Sequence, residues 1–146
     1  MSRVLCVCTG NTCRSPMLAL LLAAELKRRG IEGVVVESAG TNATSGQMAT
    51  EGARRALAKR SLDLRSHRAR DLVEVGTNGF DRFLCMTSGH AAFVRSLGVP
   101  PQKIEVVNAE HGGVPDPFGG TDQDYESTAQ VLEAFSAEAT PRLTAR

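Results

Sequence analysis

Apolar positions fall along the chain in two alternating patterns. Short, largely apolar runs have the length and composition of buried strands: Val4 to Val7, Val34-Val35-Val36, Phe80 to Met86 and Ile104 to Val107. Longer stretches with helical spacing lie between them. Met17 to Arg29 is apolar on more than one face and ends in Lys27-Arg28-Arg29-Gly30, a basic last turn with a glycine stop. Ser15-Pro16 opens it, with Ser as N-cap and Pro at the first helical position. Gly46 to Arg60 carries Met48, Ala49, Ala53, Ala56 and Leu57 at helical spacing. Ser88 to Leu97 reads as a helix stopped by Gly98 and Pro100-Pro101, and a last helix runs from about Asp122 to Ala139. The second strand closes on Ser38-Ala39-Gly40, and Glu110 to Gly120 (EHGGVPDPFGG) is a turn-rich loop. Strands that alternate with helices, each strand apolar throughout, predict an α/β three-layer sandwich: a parallel sheet with helices on both faces.

Composition narrows the function classes. The 146 residues predict one domain spanning 1–146, long enough to bury a core without disulfides or metals. A net charge of +1 provides no global field for nucleic acid or a membrane surface, and neither partner is expected. With no Trp and one Tyr, a base-stacking platform is disfavoured. The N-terminal apolar run is too short for a signal peptide, and Met17 to Ala24, the longest apolar stretch, is far below membrane-spanning length. A cytoplasmic location is therefore expected, in which Cys6, Cys8, Cys13 and Cys85 stay free thiols.

The chemistry concentrates in VCTGNTCRSP, Val7 to Pro16, between the first strand and the first helix. Ligands of parallel α/β sheets bind at the carboxyl ends of strands. Successive backbone N–H groups at such a turn converge on one anion, aided by the helix dipole. Gly10 lets the backbone curl, and Arg14 brings a planar charged fork suited to phosphate oxygens. Cys8 and Arg14 bracket the loop as Cys-x5-Arg, so Thr9, Gly10, Asn11, Thr12, Cys13 and Ser15 would form the cradle. A thiol among those donors is expected to ionise easily, with the Ser15 hydroxyl able to donate to it. Cys-x5-Arg alone recurs by chance; the longer string in its strand–loop–helix context is what points to phosphoryl transfer through a phosphocysteine. The loop itself supplies the charge stabilisation, so no metal or cofactor is expected. Zinc at Cys6, Cys8 and Cys13 fits poorly, because the spacing is not Cys-x2-Cys and no second pair stands nearby.

The stretch resembles the active-site loop of the low-molecular-weight protein tyrosine phosphatases. The likeness extends from VLCVCTGNTCRSP through ESAGT and SHRAR to DPFGG, in the family's order. It implies a four-stranded parallel sheet, Cys8 as nucleophile and Arg14 as phosphate clamp. It also implies that Asn11, Ser15, Ser38 and His67 hold the loop. From the residues alone, His67 reads more readily as a surface side chain among Arg65, Arg68 and Arg70. Asp116 reads on its own as either a general acid or a plain Asp-Pro turn. The resemblance favours the acid and leaves Asp71, Asp81, Asp122 and Asp124 as solvated or capping residues.

Two departures bear on substrate. The family's tyrosine phosphatases carry aromatic residues after the Asp-Pro, where this chain has Phe118-Gly119-Gly120, and a bulky aliphatic residue where it has Thr12. CTGNTCRSP with DPFGG is similar to the bacterial protein arginine phosphatase subgroup, which opposes a protein arginine kinase. The implied partners are arginine-phosphorylated proteins and phosphate, with Phe118 at the substrate. A carboxylate at Asp116 suits a guanidinium leaving group, and a hydroxyl at Thr12 avoids facing polar N–H groups with an aliphatic wall. Phosphotyrosine is the alternative substrate. Arsenate reductases of the superfamily need two further relay cysteines, whereas here Cys85 stands alone after position 13. Cys13 is open to two readings: it packs beneath the loop, or it captures oxidised Cys8 as a disulfide.

Overall fold

The computed structural model of the chain describes residues 1–143. Four strands, β1 (Ser2–Cys8), β2 (Val34–Gly40), β3 (Arg82–Cys85) and β4 (Ile104–Val106), form one parallel sheet in the order β2-β1-β3-β4. The helices are α1 (Arg14–Arg28), α2 (Glu51–Ala58), α3 (Leu72–Val75), α4 (Ser88–Ser96) and α5 (Asp122–Leu143). The expected α/β sandwich is the observed one.

Side chains of β1 alternate between two cores, as the two-residue period of a strand requires. Val4, Cys6 and Cys8 join Met17, Leu18 and Leu22 of α1, Leu57 of α2 and Leu132 of α5. Leu5 and Val7 join Leu72 of α3, Phe83 of β3 and Val94 of α4. Burial on both faces is why the run is apolar throughout, and each fully buried Leu contributes roughly 1.5–3 kcal/mol. The strand order also sets the site. The chain leaves β1 for β2 on one side and returns to β3 on the other, so the crevice beyond the carboxyl ends of β1 and β3 is a topological switch point.

Several boundaries differ from the sequence expectation. Helix α1 starts at Arg14, with Cys13 in the N-cap position and no side-chain cap. Ser15 is therefore inside the first turn rather than capping it, and Pro16 sits in that turn, where its missing N–H costs no hydrogen bond. The helix expected from Gly46 begins only at Glu51. Gly46 has φ +90°, Met48 bridges Arg68, and Thr50 is the N-cap, its side chain accepting from Ala53 N. Long-range bonds hold the preceding segment extended: Ala69 N donates to Gln47 O at 2.7 Å and Thr50 N to Thr12 O at 2.9 Å. The strand expected from Phe80 is trimmed to Arg82–Cys85. Asp71, Asp81 and Asp124 each accept a backbone N–H, as capping residues do, and Asp122 pairs with Arg55.

Candidate active site

The loop from Cys8 to Arg14 closes around Asn11, whose backbone is left-handed (φ 57°) and which is fully buried. Asparagine tolerates that conformation better than most residues, and its side chain here is a hub. Nδ2 donates to Ser15 Oγ at 2.8 Å and Ser38 Oγ at 2.9 Å, and Oδ1 accepts from Arg70 N at 2.8 Å. His67 Nε2 lies 2.7 Å from Asn11 O; a carbonyl only accepts, so Nε2 carries the proton. Burial is the main influence lowering the His67 pKa.

Ser15 Oγ lies 2.9 Å from Cys8 Sγ. Because Ser15 already accepts from Asn11, its own proton is free to point at the sulfur. Burial pushes the Cys8 thiol up; the Ser15 hydroxyl, the Ser15 N–H, Arg14 and the Asn11 N–H pull it down, and burial outweighs them. The easy ionisation expected from the sequence is thus opposed by the same closure that gathers the donors, since closure also strips water from the sulfur.

Arg14 is buried and donates from Nη1 to Val114 O at 2.9 Å, while its Nη2 stands 3.7 Å from Asp116 Oδ2. Asp116 Oδ1 accepts from Phe118 N at 3.0 Å, a local turn that the Asp-Pro dipeptide favours. The Phe118 side chain is 66% exposed. Cys13 is buried beneath the loop, with Thr50 Oγ1 at 3.3 Å and Tyr125 Oη at 3.7 Å from its sulfur. The structure therefore brings together Cys8, Asn11, Arg14, Ser15, Ser38, His67 and Asp116. Thr9 is exposed and Thr12 nearly buried on the same loop; the curl expected of Gly10 falls instead to Asn11, since Gly10 has no left-handed backbone and a Cβ there would meet only Thr12 Oγ1, at 3.6 Å. Among the described residues, no three His, Cys, Asp or Glu side chains gather as a metal-binding group.

The sequence reading missed Gly40, Arg70, Thr50, Tyr125, Val114 and His90. Gly40 ends β2 opposite Cys8. A Cβ there would lie 2.3 Å from Thr9 O and 3.0 Å from Asn11 N, so only glycine lets the loop pack this close. Its place in ESAGT was the available signal. Arg70 N and Val114 O meet the site through backbone atoms, which leave no mark on residue type, whereas Thr50 meets the Cys13 sulfur through its side chain across 37 residues.

This geometry has solved counterparts. The family model described as low molecular weight phosphotyrosine protein phosphatase matches residues 3–145. The chain belongs to that family. Within the low molecular weight phosphatases, a protein-arginine-phosphatase of Bacillus subtilis is 38% identical over 135 residues, covering 89% of each chain. The low molecular weight protein-tyrosine phosphatase A of Mycobacterium tuberculosis is 34% identical over 139 residues, covering 88% of this chain and 83% of that one. A structure of the YwlE arginine phosphatase, a cysteine-to-serine mutant with a phosphorylated active-site serine, superposes with a TM-score of 0.90 at 34% identity. It covers 98% of this chain and 96% of its own. These phosphatases share the chain's fold and its cysteine-based class. No helix among the described residues is long and apolar enough to cross a membrane. Cys85 is fully buried in β3, where burial pushes its thiol up to about 12, a poor setting for a redox relay.

Proposed function

We propose that the chain is a protein phosphatase that hydrolyses phosphoarginine in proteins through a phosphocysteine on Cys8, opposing a protein arginine kinase. In the first step Cys8 Sγ, having lost its proton, attacks phosphorus and the P–N bond breaks. Asp116, entering protonated, gives its proton to the departing guanidinium nitrogen. In the second step water attacks phosphorus, the P–S bond breaks, Asp116 takes the water proton and inorganic phosphate leaves. Arg14 and the loop N–H groups hold the equatorial oxygens throughout. Ser15 donates to the sulfur when it is thiolate and when it departs. Asn11, Ser38 and His67 hold the loop.

Thr12 carries the choice of substrate. Its hydroxyl is nearly buried, and its sole hydrogen-bond partner among the described residues is the Cys13 sulfur at 3.8 Å, a weak contact. A hydroxyl so placed favours a polar group in the pocket, and a guanidinium offers N–H donors that a phenol ring does not. Arginine phosphatases among the relatives support the same reading. Exposed Phe118 beside Asp116 favours the second reading, phosphotyrosine, since it offers an apolar wall to a ring. Side-by-side kcat/KM on phosphoarginine and phosphotyrosine peptides decides between them. Preference for phosphoarginine is expected; preference for phosphotyrosine overturns the proposal.

A further inference from the structure

His90 stands where the two halves of the switch point meet. It lies in the first turn of α4, is 7% exposed, and bridges two threonines from different strand ends. Its Nδ1 is 3.0 Å from Thr87 Oγ1, just beyond β3, and its Nε2 is 2.8 Å from Thr9 Oγ1, just beyond β1.

The direction of these bonds follows from counting donors. Thr87 is the N-cap of α4, and its hydroxyl oxygen accepts from His90 N at 3.3 Å. A backbone N–H only donates. Among the described residues the Thr87 hydroxyl proton then has one acceptor, Nδ1 of the same histidine. With Nδ1 accepting, the neutral ring carries its proton on Nε2 and donates it to Thr9 Oγ1. Thr9 thus has its acceptor site filled from inside, and its own proton remains for a group outside the protein. That residue directly follows Cys8 and is exposed at the loop.

We propose that His90 is a positioning residue that fixes the Thr9 hydroxyl as a hydrogen-bond donor toward the bound phosphoryl group. This rests on the phosphatase reading of the site. The charged groups facing the ring agree with a neutral histidine. Burial and then Arg14 depress its pKa, Asp116 raises it, and the result is lowered to about 4. A second proton, on Nδ1, would take the other lone pair of Thr87 Oγ1, strip the Thr87 hydroxyl proton of its one acceptor among the described residues, and place a second cation beside Arg14. The Thr87–His90–Thr9 chain therefore keeps one polarity at neutral pH.

Two measurements test it. Long-range proton–nitrogen NMR of the full chain reports the tautomer without reference to activity. The Nε2–H form should persist from pH 8 to about pH 5, and an Nδ1–H form overturns the proposal. Steady-state kinetics with inorganic phosphate as inhibitor reads the consequence. A contact made equally in ground and transition states moves KM and leaves kcat. His90→Leu should raise KM and the phosphate inhibition constant together, by about three- to tenfold, with kcat within about twofold. Thr9→Val should do the same, and the double variant should be no worse than either single one. His90→Gln, whose amide N–H reaches about as far as Nε2, should restore most of the loss. Unchanged phosphate inhibition in His90→Leu, or equal losses in the Gln and Leu variants, overturns the proposal. Absence of phosphatase turnover in the unsubstituted chain overturns the functional reading instead, while the tautomer and phosphate affinity still judge His90.

Discussion

Arg14 and Val114 are a hundred residues apart in sequence, yet the guanidinium of one donates to the carbonyl of the other at 2.9 Å. The bond ties the phosphate loop to the segment that carries Asp116, two residues further on. Val114 is itself fixed to the sheet, its N–H donating to Met86 O at 2.8 Å, and Met86 N donates to Val7 O at 3.0 Å. A continuous path of bonds thus runs from the strand before Cys8 to the loop of the proposed acid. It holds Asp116 within 3.7 Å of Arg14, at the end of the loop that begins with Cys8.

Cys8→Ser should abolish turnover while the fold persists, since a serine hydroxyl fits the same hydrogen bond to Ser15. Asp116→Asn should slow P–N cleavage by roughly 10²–10⁴-fold, the usual contribution of a general acid. The loss should shrink on an aryl phosphate with an acidic leaving group. Single-turnover kinetics checks both, and full activity in either variant removes the assigned role.

Thr12→Ile exchanges the nearly free hydroxyl for aliphatic bulk. Activity on phosphoarginine should fall at least about tenfold, some 1.4 kcal/mol of transition-state binding. Activity on phosphotyrosine should be kept or should rise, because Cys8 and Arg14 act on the phosphoryl group common to both. An equal fall on both substrates in kcat/KM would mean that Thr12 supports the loop rather than reading the substrate.

Gly40→Ala should damage the site without entering it. The added methyl meets a backbone carbonyl and a backbone nitrogen of the phosphate loop, and neither gives way as a side-chain tip would. Overpacking of this kind costs about 1–3 kcal/mol, read as a lower denaturation midpoint. Inorganic phosphate should bind more weakly as well. A variant as stable as the unsubstituted protein, with unchanged phosphate affinity, would show that the loop has room to move.

Ser15→Ala removes the largest of the influences that lower the Cys8 pKa. With burial less opposed, the pKa moves further up, so at any pH below it the thiolate fraction falls. The pH profile of Cys8 alkylation by iodoacetamide should shift to higher pH in the variant. A shift to lower pH would contradict the hydrogen-bond direction deduced from Asn11.

Oxidation distinguishes the two readings of Cys13. Its sulfur is held by Thr50 and Tyr125 beneath the loop, and Gly52 leaves the space the Tyr125 ring occupies, since a Cβ there would lie 2.3 Å from it. If Cys13 captures the sulfenic acid of Cys8, peroxide treatment should give a Cys8–Cys13 disulfide by mass spectrometry, with activity restored by reductant. Loss of activity with no such linkage would leave Cys13 a packing residue.

The sequence by itself determined the sheet, most of the helices and the loop from Cys8 to Arg14 that joins the first strand to the first helix. Strands buried on both faces must be apolar throughout, and a tight loop at a strand end gathers Cys8, Asn11 and Arg14 from positions close together in the chain. Both signals are local. The tertiary structure alone decided where α2 begins, because bonds from Thr12 and Ala69 to the segment before Glu51 override its helical spacing. It decided that Ser15 serves the sulfur instead of capping a helix, since Asn11 occupies its acceptor site. It also chose between the readings of His67, whose partner Asn11 lies 56 residues away, and it brought His90 to Thr9 across 81. Those contacts depend on which strand neighbours which, and a backbone carbonyl or N–H forms them whatever side chain it carries; no spacing along the chain records them.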